Sequence, residues 1–203
     1  MCKANQLLLK RKKKIKQIKK LATNHKISGP NQLWQFDIKY GYVHGEDRHF
    51  YFLAFIDTYT KKVVGYHLGN TCTASDLKLA LKSALNSLTL DEQKNLIIRS
   101  DNGPQMSSHQ FKAYVGSLEM THEFTPIRCP DKNAFVESFF SIFEIEFLQV
   151  RYFLSMKEVH RQVREWLEWY NTRRLHGSLK YNSPEMFISK FKEGLNYEYT
   201  VSA

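Results

Sequence analysis

Three β-rich runs crowd the stretch between Leu33 and Leu68, and the links joining them are too short for anything but reversal. In the first, Leu33 to Val43, the residues Trp34, Phe36, Ile38 and Tyr40 alternate with Gln35, Asp37 and Lys39, the period-two pattern of a strand. The second, Phe50 to Ile56, is almost wholly apolar and stops at Asp57; the third runs from Lys62 to Leu68. Three such segments in succession predict an antiparallel meander. The pattern then changes. Leu77, Leu81, Ala84, Leu85 and Leu88 recur at helical spacing, behind Thr73 and Asp76 in a variant of the capping box. The run Leu96-Ile97-Ile98 suits a buried strand, a helix follows from Ser107/Ser108 through Phe111, Val115 and Leu118, and Thr121 to Thr125 reads as a short fifth strand. A meander followed by alternation predicts an α/β fold: a mixed five-stranded sheet, three antiparallel strands and then parallel additions, flanked by helices.

Two helices are expected beyond the sheet. From Asn133 to about Val150 nearly every position is apolar, save a stripe of Glu137, Ser141 and Glu144 on one face. Ser155 and Glu158 have capping-box spacing and open an amphipathic helix with Val159, Val163, Trp166, Leu167 and Tyr170 on one side, ending near Arg174. In the tail, Leu175, Leu179, Tyr181 and Phe187 are expected to pack on the body. Trp34 and Trp166 read as core, not as platforms for stacking bases, and Asp57 as structural.

Three carboxylates stand out. Asp37 sits mid-strand, where Asp is depleted. Asp101 ends a strand at the turn cluster Ser100-Asp101-Asn102-Gly103-Pro104, and sites in open α/β sheets lie past the carboxyl ends of strands. Glu137 leads the polar stripe of the buried helix, and 35 residues separate it from Asp101. Each has a plain alternative: an exposed strand face, a turn aspartate bonding its own backbone, a solvated helix stripe. Held together, they would repel one another unless cations were present. Hard divalent ions take oxygen ligands of this kind, and a pair of them can clamp the attacking and leaving oxygens of a phosphoryl displacement.

The charge is unevenly spread. Residues 1–30 contain ten Lys or Arg and no acid, while the remainder is electrically balanced. Such a block, with Lys10, Arg11, Lys12, Lys13 and Lys14 at its centre, suits nucleic-acid phosphates; the alternative is a solubilising tail. Ser28-Gly29-Pro30-Asn31 is a breaker cluster, so the expected division is a basic arm over 1–30, a core over 31–191 and a tail over 192–203. Arg173, Arg174, His176 and Lys180 form a second basic cluster, to be read as a phosphate contact or as a solvated helix end. The three cysteines are scattered, no apolar run reaches the ~18–20 residues of a membrane span, and no signal-like segment opens the chain. A cytoplasmic chain without membrane contact is the expectation.

With these residues in view, the chain resembles the catalytic core of DDE-type transposases and retroviral-type integrases, and within that group the second-frame product of the insertion-sequence 3 (IS3) family of bacterial transposases. The motifs that carry the resemblance are NQLWQFDIKYGYV around Asp37, FIDTYTKKVVGYHL, RSDNGPQMSS around Asp101, KNAFVESFF around Glu137 and WYNTRRLHGSLKYNSPEMF near the end. It spans about Asn31 to Phe191. The resemblance implies a ribonuclease H-like fold and a catalytic, metal-binding triad of Asp37, Asp101 and Glu137. It also implies Mg2+ or Mn2+ as cofactor, two ions in the active complex, and cleavage and strand transfer at transposon ends. Expected partners are transposon-end and target DNA, further copies of the chain, and an upstream-frame helix-turn-helix product. On this reading residues 1–30 are the remnant of a helix-turn-helix region, and the location is nucleoid-associated. Members often carry Lys or Arg four and seven residues after the catalytic Glu; here Ser141 and Glu144 stand there. A non-catalytic DNA-binding remnant of a mobile element is the competing expectation, and a ribonuclease H-like nuclease acting on free nucleic acid a third.

Overall fold

The computed structural model describes residues 19–126, 129–194 and 201–203. Its elements are β1 (Lys26–Ile27), β2 (Leu33–Val43), β3 (Arg48–Asp57), β4 (Val63–Gly69), α1 (Ala74–Leu85), α2 (Leu90–Asn95), β5 (Ile97–Ser100), α3 (His109–Ser117), β6 (Thr121–Phe124), α4 (Ala134–Phe143), α5 (Met156–Thr172), α6 (Pro184–Lys192) and β7 (Val201–Ser202). Five strands form one sheet in the order β4-β3-β2-β5-β6. The first three pair antiparallel, and β5 and β6 add in parallel. This is the mixed sheet of a ribonuclease H-like fold. Among the described residues, no helix is long and apolar enough to cross a membrane.

Strand alternation divides the core in two. Trp34 and Phe36 of β2, with Leu53 and Phe55 of β3, face α1 and α3 and are fully buried there with Leu77, Leu81 and Phe111. Val43, Phe50, Phe52, Ala54 and Ile56 face the other way, onto Phe139, Phe140 and Phe143 of α4 and Val159, Val163 and Trp166 of α5. Both tryptophans read as core are therefore buried. On the α4 side, Gly41 lies directly opposite Phe50, whose ring would meet any Cβ placed there at 2.1 Å.

Local signals hold at the helix starts. Thr73 and Asp76 form a reciprocal capping box on α1, and Thr89 and Glu92 form one on the short helix α2, which periodicity alone does not reveal. Ser155 caps Glu158, while the Glu158 carboxylate accepts from the Leu154 amide instead of from Ser155. The apolar helix after Asn133 is α-helical to Phe143 and continues as one wide π turn over Glu144–Leu148.

The tail departs from expectation. Leu179 and Phe187 are buried, with Tyr59, Ile27 and Val201. Tyr181 is 77% exposed and Leu175 55% exposed. A left-handed pair, Lys180 and Tyr181, sits in the tight loop closed by the His176–Asn182 bridge, and it turns Tyr181 outward. Charge and packing also change at different places along the chain: Leu21 bridges to Phe124 at the sheet edge, and β1 pairs with β7. Residues from about Lys20 thus lie against the body. Lys10, Arg11, Lys12, Lys13 and Lys14 fall outside the described residues.

Candidate active site

Asp37 and Asp101 owe their placement to sheet register. β2 and β5 are parallel neighbours, with Gln35 beside Arg99. Continuing that register by two residues brings Asp37 level with Asp101, just past the end of β5, on the face that α4 covers. Asp101 is exposed and built into a tight turn: its Oδ1 accepts from the Gly103 amide at 2.9 Å. Asn102 holds the turn to the next strand by donating to the Thr125 carbonyl at 2.8 Å. Asn102 and Gly103 thus shape the turn that presents Asp101.

Glu137 reaches the same region because two buried polar side chains fix the start of α4. Asn133 precedes the helix but makes no side-chain cap. The Gln35 Oε1 instead accepts from the amides of Phe135 and Val136, at 3.0 and 3.3 Å, while its Nε2 donates to the Lys132 carbonyl at 3.0 Å. Arg99 donates to the same carbonyl at 3.1 Å, and also to the Thr23 carbonyl and to Glu123, at 2.8 and 3.0 Å. The strand face that carries Asp37 and Asp101 is therefore riveted to the helix that carries Glu137. Glu137 and Ser141 are exposed, and Glu144 bonds Lys39 at 2.8 Å, so the polar stripe points outward as its spacing demands.

The carboxyl of Asp37 has its pKa raised to about 6. Burial is the main cause. The Ile38 amide, donating to Oδ1 at 2.8 Å, works against it, the negative charges of Asp101 and Glu137 push further upward, and Lys39 pulls back. One carboxyl thus feels both others. Among the described residues, no three acidic, His or Cys side chains are close enough to hold a metal ion as they stand. The chemistry of the donor set still fits a hard cation: three carboxylates, one of them half-buried, its charge disfavoured first by burial and then by its like-charged neighbours.

A family model described as "Integrase core domain" matches residues 28–130, more than half of the chain, and a second of the same description matches 118–184. This chain belongs to the integrase core domain family. Its similarity extends to the transposase for insertion sequence element IS904 of Lactococcus lactis, 26% identical over 164 residues, covering 80% of this chain and 63% of that protein. It extends also to transposase InsF for insertion sequence IS3A of Escherichia coli K12, 30% identical over 164 residues, covering 80% and 56%. The chain therefore spans less than two thirds of the length of either relative. Among solved structures, its fold is similar to the HTLV-2 integrase catalytic core domain in complex with magnesium, with a TM-score of 0.59, 17% identity, and coverage of 78% of this chain and 96% of that one.

In this integrase core domain the C-terminal basic residues are not one patch. Arg174 is committed to Glu146, with its Nη2 at 2.6 Å and Nε at 2.9 Å from the carboxylate, and His176 is buried. Arg173 and Lys180 are exposed. Asp57 is wholly structural in its contacts: its carboxylate accepts from the Tyr59 amide and from the Thr60 amide and hydroxyl, closing the β3–β4 turn. The residues that sequence reasoning overlooked are Gln35 and Arg99. Gln35 hides in an alternating strand whose polar side looks solvated, and Arg99 reads as one more surface cation. The available signal was parity: each lies two positions before a candidate carboxylate, on the same strand face.

Proposed function

We propose that this chain is the catalytic core of an insertion-sequence transposase, which cuts DNA at the element's ends and joins the freed 3′ ends to target DNA. The observation that carries this reading is the level placement of Asp37 and Asp101 on adjacent parallel strands, with α4 and its Glu137 pinned over them by Gln35 and Arg99. The named insertion-sequence transposases and the magnesium-bound HTLV-2 core support it.

In this reading Asp37, Asp101 and Glu137 hold Mg2+ or Mn2+, two ions in the active complex. Bound cations would help generate the oxygen nucleophile and offset charge on the reacting phosphate. Asp37 is the fixed end of the triad, set by its strand and by the Ile38 amide. The Asp101 turn and the first turn of α4 bring the other two carboxylates from opposite sides. The Gln35 and Arg99 side chains act as positioning residues, since their hydrogen bonds hold the start of α4. Lys10, Arg11, Lys12, Lys13 and Lys14 would engage DNA phosphates, with Arg173 and Lys180 as further contacts; Arg174 would need to leave Glu146 to join them. DNA complexes would contain more than one copy of the chain, alongside a helix-turn-helix product supplied upstream.

The test is a cleavage and strand-transfer assay on labelled element ends with and without Mg2+ or Mn2+. Parent protein is expected to nick only with metal. Asp37→Asn, Asp101→Asn and Glu137→Gln should each abolish nicking while leaving DNA binding in place, and their effects should be strongly non-additive because the three act as a unit. Nicking at the parental rate in any one variant would remove that residue from the site. A parent that binds but never cuts authentic ends would favour the non-catalytic DNA-binding remnant.

A further inference from the structure

We infer that a basic cleft beside the Asp101 turn, built from Lys19, Lys20 and Lys112, binds the phosphate backbone of DNA next to the reacting centre. The inference rests on reading Asp37 and Asp101 as part of a DNA-cleaving site, and it assigns that site a substrate-holding surface of its own. The cleft measures about 450 Å³ and lies between the start of the described chain, α3 and β6. The Phe124 ring lines it. The Nζ of Lys19 stands 4.7 Å from the ring centroid and that of Lys112 5.5 Å, so two ammonium groups gather at one aromatic ring.

Two of these cations lack acidic partners among the described residues. No carboxylate among the described residues lies within 4.0 Å of Lys19 or Lys112. Lys20 reaches Glu123 only at 4.0 Å, and that carboxylate already holds Arg99 and His25, each at 3.0 Å. His122, also in the cleft, adds no charge of its own. The Ser100 hydroxyl donates to the Asp101 carbonyl at 2.8 Å, so it accepts from His122 Nε2 at 3.0 Å, which leaves Nδ1 buried and unpartnered. Burial, with the charges of Lys112 and Lys19, pushes the His122 pKa down to about 3 and keeps the ring neutral. A cluster of like charge with so little compensation, on a low-dielectric floor, attracts a polyanion.

Two contacts tie this cleft to the site. Lys19 Nζ donates to Asn102 Oδ1 at 2.7 Å, one residue past Asp101, and His122 bonds Ser100, one residue before it. On the opposite wall of the site, the polar stripe of α4 is Glu137, Ser141 and Glu144, and Lys39 beside it is paired to Glu144. Phosphates flanking a reacting bond at Asp101 would therefore be neutralised from the β6 side.

The experiment measures binding of the full chain to a fluorescent duplex in EDTA across a range of NaCl concentrations. It compares Lys19→Gln/Lys112→Gln with Lys82→Gln/Lys157→Gln, an exposed pair elsewhere carrying the same change of charge. The cleft variant should lower the slope of log K against log salt by about 1.8, since each phosphate contact in duplex DNA is worth about 0.9. The control should change it by less than half as much, and Lys19→Arg/Lys112→Arg should restore the parental slope. Equal slopes in the cleft and control variants would overturn the cleft, as would a parent that does not bind DNA. Metal-dependent cutting by the parent, measured in parallel, separates the two ideas. A parent that binds through the cleft but never cuts removes the catalytic reading and leaves the cleft. A parent that cuts while the cleft variant binds like the control does the reverse.

Discussion

On one face of β2, Trp34 and Phe36 sink into an apolar layer with α1 and α3; on the other, Gln35, Asp37 and Lys39 meet α4 through hydrogen bonds and charge. The two sets alternate along a single strand, yet they do different work. The apolar face holds the sheet to its helices through buried area and close packing spread over many contacts. The polar face fixes α4 at particular atoms, and it leaves one carboxyl, Asp37, in surroundings that disfavour its charge. From Trp34 to Lys39, apolar packing and site geometry are thus divided by parity, and substitutions on the two faces should fail in different ways.

Phe36→Ala should show the largest effect. It empties a fully buried ring site stacked against Phe55, with ring centroids 4.7 Å apart. The expected loss is about 3–5 kcal/mol in chemical denaturation. Equal damage from Lys39→Ala, on the polar face, would erase the distinction.

Gln35→Leu comes next. Its volume is similar, but it strands two α4 amides and weakens the hold on the Lys132 carbonyl. Buried unsatisfied groups cost about 1–3 kcal/mol each, so a loss of about 2–4 kcal/mol is expected. Glutamine at this position is a positioning device, so cutting activity should fall further than the loss of folded protein explains. A variant that keeps parental kcat at a temperature where it remains folded would show that α4 does not need this anchor.

Asp37→Asn should stabilise the metal-free protein. The native carboxyl titrates near 6 against an unfolded value near 3.8. The folded state therefore holds its proton longer, and parental stability declines as pH rises from about 4 to about 6. Below that window both forms are protonated and no penalty exists; above it the penalty is complete. Allowing for partial exposure, the Asn variant should gain about 1–3 kcal/mol at pH 8 and nothing at pH 3.5, read from thermal melts. Added Mg2+ should narrow the gap by stabilising the parent alone. A gain of the same size at both pH values would show that the effect is packing, not charge.

Lys39→Met should do least. Its pair with Glu144 is about one third exposed on each side, and such pairs are worth about 0.3–1 kcal/mol. A larger loss would mean that the polar face is held by ion pairs as well as by Gln35 and Arg99.

Much of this contrast is legible in the sequence. Alternation along Leu33–Val43, the apolar run after it and the strand ending at Asp101 give the sheet, and parity puts Asp37 and Asp101 on one face once β2 and β5 are neighbours. The polar half of an alternating strand, however, reads the same whether water or a helix covers it, and this hid the burial of Gln35, which is 0% exposed. The cap on α4 was equally out of reach, because its acceptor comes from a residue 100 positions earlier. Arg99 was hidden for the same reason: its partners Thr23, Glu123 and Lys132 meet only after folding. The outward turn of Tyr181 depends on two successive left-handed residues, neither of them glycine, which leave little trace in sequence.

In the proposed reading, the polar face of β2 and the first turn of α4 make one cation site. Crystals of the chain soaked in Mn2+, measured at the manganese absorption edge, test it most directly. An anomalous peak is expected between the carboxylates of Asp37 and Asp101, with Glu137 approaching it or a second peak, and that density should be lost in Asp37→Asn. Anomalous density confined to other acids of the surface, with none between Asp37 and Asp101 at saturating Mn2+, would contradict it.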